Sequence, residues 1–123
     1  MNELIPENLE PQQLYKLGTD LANEVSTLGK IVAGYEVELT AKSKIYKLEL
    51  AKAKIIHMDK KYTATIVNAL ADTTPEVITA SNYLMQAEAN AIIGRAELAG
   101  REQQLMLVKK EMDLKVQELR TFR

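Results

Sequence analysis

Apolar side chains recur at helical spacing along two long stretches of the chain, which prolines delimit. Pro6 and Pro11 lie near the start, and Pro75 lies in the middle. A proline costs about 3 kcal/mol inside a helix, so long helices fit between Pro11 and Ala71 and again from Val77 onward. A short connection between two long helices predicts an all-α protein folded as an antiparallel helical hairpin.

The first stretch carries the alternating three- and four-residue spacing of a coiled-coil seam. Two interleaved seven-residue series form this seam: Leu14, Leu21, Leu28 and Tyr35, with Val25, Val32, Leu39 and Tyr46. Farther along, the apolar residues predict a displaced register, or stutter. These residues are Ile45, Leu48, Ile55, Met58, Tyr62 and Ile66. Gly29 and Gly34 weaken the helix and leave two alternatives, a break between them or one bent helix. Because the apolar seam keeps its phase across both glycines, one bent helix over 11–70 is predicted.

The second stretch has the strongest periodicity in the sequence. One series repeats every seven residues and has seven members: Val77, Leu84, Ala91, Leu98, Leu105, Met112 and Leu119. It predicts a helix over 75–120, which is roughly 70 Å long at about 1.5 Å per residue.

The turn between the two predicted helices falls at 71–74. Thr74 is a favourable N-cap directly before Pro75, which suits the first position of a helix. Thr73 and Glu76 offer a competing capping box one residue earlier. Both alternatives start the second helix within one residue of the same place.

Two paired helices leave apolar side chains exposed on a second face. On the second helix this candidate oligomer or partner face consists of Ile78, Met85, Ile92 and Met106. Contiguous exposed apolar surface indicates a binding partner, and the most economical partner is another copy of the chain. The predicted organisation is a flexible acidic arm over 1–10 and one helical-hairpin domain over 11–123, completed by self-association into a helical bundle.

Charge is unevenly distributed, although the formal net charge is only −1. Residues 1–40 hold seven acidic and two basic side chains, whereas residues 41–62 hold seven lysines and two acids. Four of these lysines fall within a sector of about 100° on a helix. They form the lysine stripe, which is Lys44, Lys47, Lys54 and Lys61. The lysine stripe is a candidate nucleic-acid interface, a docking face for an acidic protein, or plain solvated surface.

Candidate chemistry is sparse. The chain has no cysteine, and His57 is its single histidine, which excludes thiolate sites and most zinc and histidine-base sites. The carboxylates form i,i+4 pairs with basic residues, as in Glu38 with Lys42, and do not converge on one another. We therefore predict no catalytic residue, no cofactor and no metal, and a protein that is not an enzyme. His57 is interpreted as a partly exposed structural residue.

The chain start is acidic, and the sequence contains no run approaching the about 20 apolar residues of a membrane span. A cytoplasmic protein without a membrane partner is therefore expected.

Several short segments carry a resemblance to a known class of proteins. They are Glu49-Leu50-Ala51-Lys52-Ala53-Lys54, Gln86-Ala87-Glu88-Ala89, Leu107-Val108-Lys109-Lys110-Glu111-Met112-Asp113-Leu114-Lys115 and Leu119-Arg120-Thr121. Over roughly residues 33–123 the chain resembles small helical-hairpin proteins of tailed bacteriophages, which are often encoded near recombination and replication genes. The resemblance carries over no functional residue. It implies an accessory protein in the bacterial host cytoplasm that acts on replication, recombination or a host defence complex by binding and occluding a protein.

Overall fold

The computed structural model describes residues 9–121, which form three α-helices and no β-strand. The helices are α1, Pro11–Met58; α2, Ala64–Asp72; and α3, Pro75–Thr121. The predicted all-α fold is confirmed, because α1 and α3 pack together as the arms of a helical hairpin. The predicted flexible arm over 1–10 lies outside the described residues, apart from its last two positions.

The chain divides into two compact units, each built from a part of α1 and a part of α3. The terminal unit comprises Met1–Val32 and Gly94–Arg123, and the central unit, Ala33–Ile93, also contains α2. In both units, earlier positions of α1 contact later positions of α3, so the helices run antiparallel. The contacts are Gly18 with Val108 and Glu24 with Arg101 in the terminal unit, and Lys42 with Tyr83 and Ala53 with Val77 in the central unit.

The start of α1 follows from its capping residues. Pro11 occupies the first helical position, where its missing N–H group costs nothing. The Glu10 N–H donates to Oε1 of Gln13 at 2.9 Å, which is the side-chain half of a capping box. From there α1 continues through Gly29 and Gly34 without interruption, so the helix is not broken at these glycines.

The inward side of α1 keeps one heptad phase through both units. Its buried and half-buried positions are Leu14, Gly18, Leu21, Val25, Leu28, Val32, Tyr35, Leu39, Lys42, Tyr46, Glu49 and Ala53. The predicted stutter is therefore wrong. The residues assigned to it, Ile45, Leu48, Ile55, Met58, Tyr62 and Ile66, are each at least 44% exposed. The phase persists because Lys42 and Glu49 are long enough to occupy inward positions while their charged ends reach solvent.

The prediction of one helix over 11–70 is wrong at 59–63, where the chain leaves the helix. The last carbonyls of α1 accept i,i+3 bonds, from the Lys60 N–H to His57 at 3.2 Å and from the Lys61 N–H to Met58 at 3.1 Å. Lys61 has a φ of 60°, and the helix cannot continue through this left-handed residue. Thr63 then caps α2, because its hydroxyl oxygen accepts the Ile66 N–H at 3.3 Å.

We expect Lys61→Gly to raise the free energy of unfolding by about 0.5–1 kcal/mol, because glycine adopts this backbone conformation without a Cβ clash. Urea unfolding followed by circular dichroism measures the change. Lys60→Gly is the matched control, since it removes the same charge from the same turn at a residue without positive φ. A stabilisation of equal size at Lys60 would contradict the left-handed conformation as the cause.

The second turn lies where the sequence predicts it. α2 ends at Asp72 and α3 begins at Pro75. The hydroxyls of Thr73 and Thr74 both donate back to the Leu70 carbonyl, at 3.0 and 3.1 Å. Thr74 lies directly before α3, its carbonyl accepts the Ile78 N–H at 3.0 Å, and Pro75 occupies the first helical position. Along α3 the predicted heptad series is buried or half-buried from Val77 to Met112, and its last member, Leu119, is exposed.

The cores of the two units differ in side-chain size. The terminal unit buries Leu14, Leu21, Val32 and Val108, whereas the central unit buries Ala53, Val67, Ala71, Val77, Ala80, Ala87 and Ala91. Five of the seven buried hydrophobic residues in the central unit are thus alanines. Each contributes one methyl group, worth about 0.8 kcal/mol, and small side chains let α1 and α3 approach closely. The central unit therefore has a thin core for its length.

Candidate functional site

Large apolar side chains lie mainly on the outside of the central unit. Within residues 9–121, twenty large hydrophobic residues are exposed, and thirteen of them belong to this unit. Single exposed apolar residues are ordinary, but rows of them on a unit with an alanine core are typical of an interaction surface. The candidate interaction surfaces are therefore the two faces of the central unit, one on either side of the α1–α3 contact.

The first face contains a groove of about 480 Å³ between α1 and α3, here termed the Tyr83 groove. Its lining residues are Lys42, Ile45, Glu49, Pro75, Glu76, Thr79, Ala80 and Tyr83. The side chains of Ile45 and Tyr83 are about half exposed here. Leu48 and Ile55 follow Ile45 at i+3 and i+10, which places all three on one side of α1. The groove thus continues into an apolar stripe along α1.

Two of the charged side chains that line the Tyr83 groove, Lys42 and Glu49, are paired within the unit. Nζ of Lys42 lies 3.5 Å from Oε1 of Glu38 and 5.1 Å from the centroid of the Tyr83 ring, as in a cation–π contact. Nζ of Lys52 lies 3.5 Å from Oε1 of Glu49. The sequence-based interpretation did not predict this groove, because it placed charged residues such as Lys42 and Glu49 on solvent-exposed faces. The available signal was the uninterrupted heptad spacing, which places Lys42 and Glu49 on the inward side.

The opposite face of the central unit carries the apolar row of α3. A second groove of about 280 Å³ lies there, lined by Tyr46, Asp72, Val77, Ile78, Ser81 and Asn82. Ile78, Met85 and Ile92 are exposed on this side of α3 at seven-residue intervals. We call this surface the Ile78 face. Met106, the fourth residue of the predicted oligomer or partner face, is also exposed but belongs to the terminal unit.

Three of the four residues of the predicted lysine stripe lie on α1. Lys44 and Lys47 are exposed and Lys54 is half-buried. Lys61 lies beyond the end of α1 in the left-handed turn, so its assignment to this helical stripe is wrong. Unlike Lys42, none of the three lysines on α1 has an acidic partner within residues 9–121.

Lys47 and Lys54 share a side of the central unit with the apolar row of α3. At about 100° per residue they lie roughly 80–100° beyond Tyr46, whereas Ile45 lies about 100° before it. Tyr46 lines the groove of the Ile78 face, and Ile45 lines the Tyr83 groove. The structure therefore brings two separately predicted surfaces, lysine and apolar, onto one face. Lys44 lies four residues before Leu48, on the side of α1 that carries the apolar stripe.

His57 lines a third cavity, of about 360 Å³, beside the connection between α2 and α3. The other lining residues are Ala53, Ile56, Leu70, Thr73, Thr74 and Pro75. The side chain is half-buried, and its Nδ1 atom is buried with no hydrogen-bond partner among the described residues. The described part of the chain contains no group of three or more His, Cys, Asp or Glu side chains that could hold a metal. The surroundings of His57 are apolar walls and threonine side chains.

In the terminal unit, an ion pair joins α1 and α3. Nε of Arg101 lies 3.4 Å from Oε2 of Glu24, and its Nη1 donates to Oε1 of Gln104 at 3.0 Å. Arg101 occupies an inward heptad position of α3, as Lys42 does in α1. Polar residues at such positions fix the register of paired helices at some cost in stability. We therefore assign this pair a structural role.

The fold defines the class of protein as an all-α helical hairpin with exposed apolar faces. The chain matches no family model, no curated protein and no solved structure. Among the helices of residues 9–121, none has the length and apolar character required to cross a bilayer.

Proposed function

We propose that the protein is a non-enzymatic protein-interaction factor that self-associates and that binds and occludes another protein. One observation carries this proposal: the central unit buries mostly alanines and exposes thirteen large apolar side chains. Complete burial of one such side chain contributes about 1.5–3 kcal/mol. Association with other chains therefore offers the central unit the stabilisation that its thin core does not supply.

The Tyr83 groove is the surface we assign to self-association. In a two-fold dimer the same patch faces itself, so unpaired like charges at the centre repel. Two charged groups that line this groove are already paired, Lys42 with Glu38 and Glu49 with Lys52, which lowers the electrostatic cost of covering it with a second copy. The Ile78 face suits a symmetric dimer less, because Lys47 and Lys54 would lie near the same residues of the second copy.

Light scattering of the full chain tests self-association. We expect at least a dimer at micromolar concentration, because two copies can cover each other's apolar stripe. A stable, monodisperse monomer of 13.8 kDa would contradict the proposal. Dilution of the same sample to the nanomolar range is the internal control, since a true equilibrium assembly loses mass on dilution.

The cellular setting comes from the resemblance to phage helical-hairpin proteins. We predict an accessory protein in the cytoplasm of a bacterial host that acts on replication, recombination or a host defence complex. A pull-down from infected cells, followed by identification of the retained protein, tests this setting. Retention of a single replication, recombination or defence protein would support it, and retention of none of these would contradict it.

A nucleic-acid binder is the second candidate, and the unpaired lysines of α1 are the observation that favours it. Lys44 and Lys47 are exposed, and each phosphate contact that they make would release a counterion. Changing these two lysines and Lys54 to Gln would then reduce the slope of log affinity against log salt by about two to three units. Absence of salt-sensitive binding of single- and double-stranded DNA at about 50 mM salt would exclude this candidate.

A further inference from the structure

The Ile78 face has two unlike edges on neighbouring helices. Its α1 edge carries Lys47 and Lys54, which are seven residues or about 10 Å apart along the helix. Its α3 edge carries Ile78, Met85 and Ile92, which extend over about 21 Å. Between these edges runs the groove that includes Tyr46 and Ser81 among its lining residues. A ligand along this groove meets positive charge on one side and apolar surface on the other.

We infer that the Ile78 face binds an acidic amphipathic helix of a partner protein. This inference rests on the proposed interaction function and specifies the partner of one surface. An amphipathic helix lying in a groove buries its apolar face against side chains spaced at helical intervals, as Ile78, Met85 and Ile92 are. Its acidic edge then faces Lys47 and Lys54, which have no acidic partner of their own in the described part of the chain.

The acids on this face limit which partner helix fits. Asp72 lines the groove near the end of α2, and Glu88 lies between Met85 and Ile92 along α3. Residues 63–93, which include all of α2 and the central-unit part of α3, hold three acids and no base. The positive side of the face is thus confined to α1. The partner helix therefore carries its acids along one edge only, next to α1, with a neutral or basic edge next to α3.

Other occupants match only part of the face. Phosphates of a nucleic acid would pair with Lys47 and Lys54 but would leave the α3 row in water. An anionic lipid surface would meet Asp72 and Glu88 together with the lysines. A second copy in a two-fold arrangement would place the unpaired lysines near one another. An acidic helix satisfies the lysines and the apolar row together.

Fluorescence anisotropy with designed peptides tests the inference on the full chain. The probe is a labelled helix of about 18 residues, or five turns, with leucines on one face and glutamates along one edge. One control peptide has the same composition in scrambled order, and another has lysines in place of the glutamates. At about 50 mM salt we expect the acidic amphipathic helix to bind at least about tenfold more tightly than either control.

Substitutions locate the binding to the Ile78 face. The double charge reversal Lys47→Glu with Lys54→Glu is expected to weaken acidic-peptide binding by at least about tenfold and to improve binding of the lysine peptide. Lys109→Glu with Lys110→Glu is the matched control, because it makes the same charge change at exposed positions of the terminal unit. The apolar triple variant Ile78→Ser, Met85→Ser and Ile92→Ser is expected to abolish binding. The helical signal in the circular dichroism spectrum must be unchanged in all variants.

Several results would overturn the inference. Equal binding of the scrambled peptide would show general charge attraction, and insensitivity to the lysine reversals would show that the partner is not acidic. Tighter, lysine-dependent binding of a DNA duplex or of vesicles rich in anionic lipid would assign the face to those ligands. If the apolar triple variant dissociates the self-assembly, the face is the dimer surface; the inference then fails while the proposed interaction function stands. A wild-type monomer that binds no peptide contradicts both.

Discussion

Leu14→Ala is expected to lower the free energy of unfolding by about 3 kcal/mol. Leu14 is only 1% exposed and is one of the two largest fully buried side chains in the described chain. The terminal unit has few other buried large residues, so a cavity at this position removes a considerable share of its core. Urea unfolding monitored by circular dichroism at a fixed protein concentration measures the loss, because self-association makes stability depend on concentration.

Tyr15→Ala is the matched control for the Leu14 substitution. Tyr15 is the next residue of the same helix turn, and it is 67% exposed. Its truncation is expected to cost less than about 0.5 kcal/mol, as surface substitutions usually do. A similar loss at both positions would show that the start of α1 is frayed or that another face of α1 contacts α3.

The sequence predicts the helical hairpin because its seam residues repeat over a long distance. The series from Leu14 to Tyr35 and from Val25 to Tyr46 is buried or half-buried as predicted, and so is the α3 series up to Met112. Pro75 marks the start of α3 because proline is tolerated at a first helical position and costs about 3 kcal/mol in a helix interior. Such features depend on local chemistry and on periodicity, both of which a single sequence contains.

The predicted stutter is wrong because the inward positions of α1 do not follow hydrophobicity alone. Ile45 and Leu48 look like core residues, yet the inward positions beside them hold Lys42 and Glu49. These charged side chains are accommodated through a cation–π contact and ion pairs at the edge of the groove. Which of the two sets faces α3 depends on tertiary packing. The same is true of the end of α1, where polar residues without proline or glycine form the turn at Lys61.

The candidate site could be predicted only in parts. The lysines of α1 and the apolar row of α3 are each visible in the sequence as stripes on separate helices. Their position on one face depends on which side of α1 packs against α3, and Tyr46 and Ile78 in one groove provide that information. The Tyr83 groove is not among the predictions because Ile45 was assigned to the helix contact, although the heptad spacing places Lys42 and Glu49 on the inward side.

The apolar stripe beside the Tyr83 groove is expected to hold the self-assembly together. Changing Ile45, Leu48 and Ile55 to Gln should convert the assembly to a monomer at micromolar concentration. Complete burial of such a side chain contributes about 1.5–3 kcal/mol, and these three are about half exposed, so losing their contacts weakens association by about fiftyfold or more. These residues are exposed in the single chain, so the free energy of unfolding of the monomer should change little. Light scattering measures the mass, and circular dichroism verifies that the helices remain.

The α3 row provides the matched control for that experiment. Ile78→Gln, Met85→Gln and Ile92→Gln remove a similar amount of exposed apolar surface from the opposite face of the same unit. We expect this variant to retain the wild-type mass, because Lys47 and Lys54 disfavour a symmetric contact on that side, whereas Lys42 and Glu49 at the Tyr83 groove are paired. If the α3 variant becomes monomeric and the α1 variant does not, the assignment of the two faces is reversed. If both dissociate, the assembly uses both faces, and each copy contacts more than one neighbour.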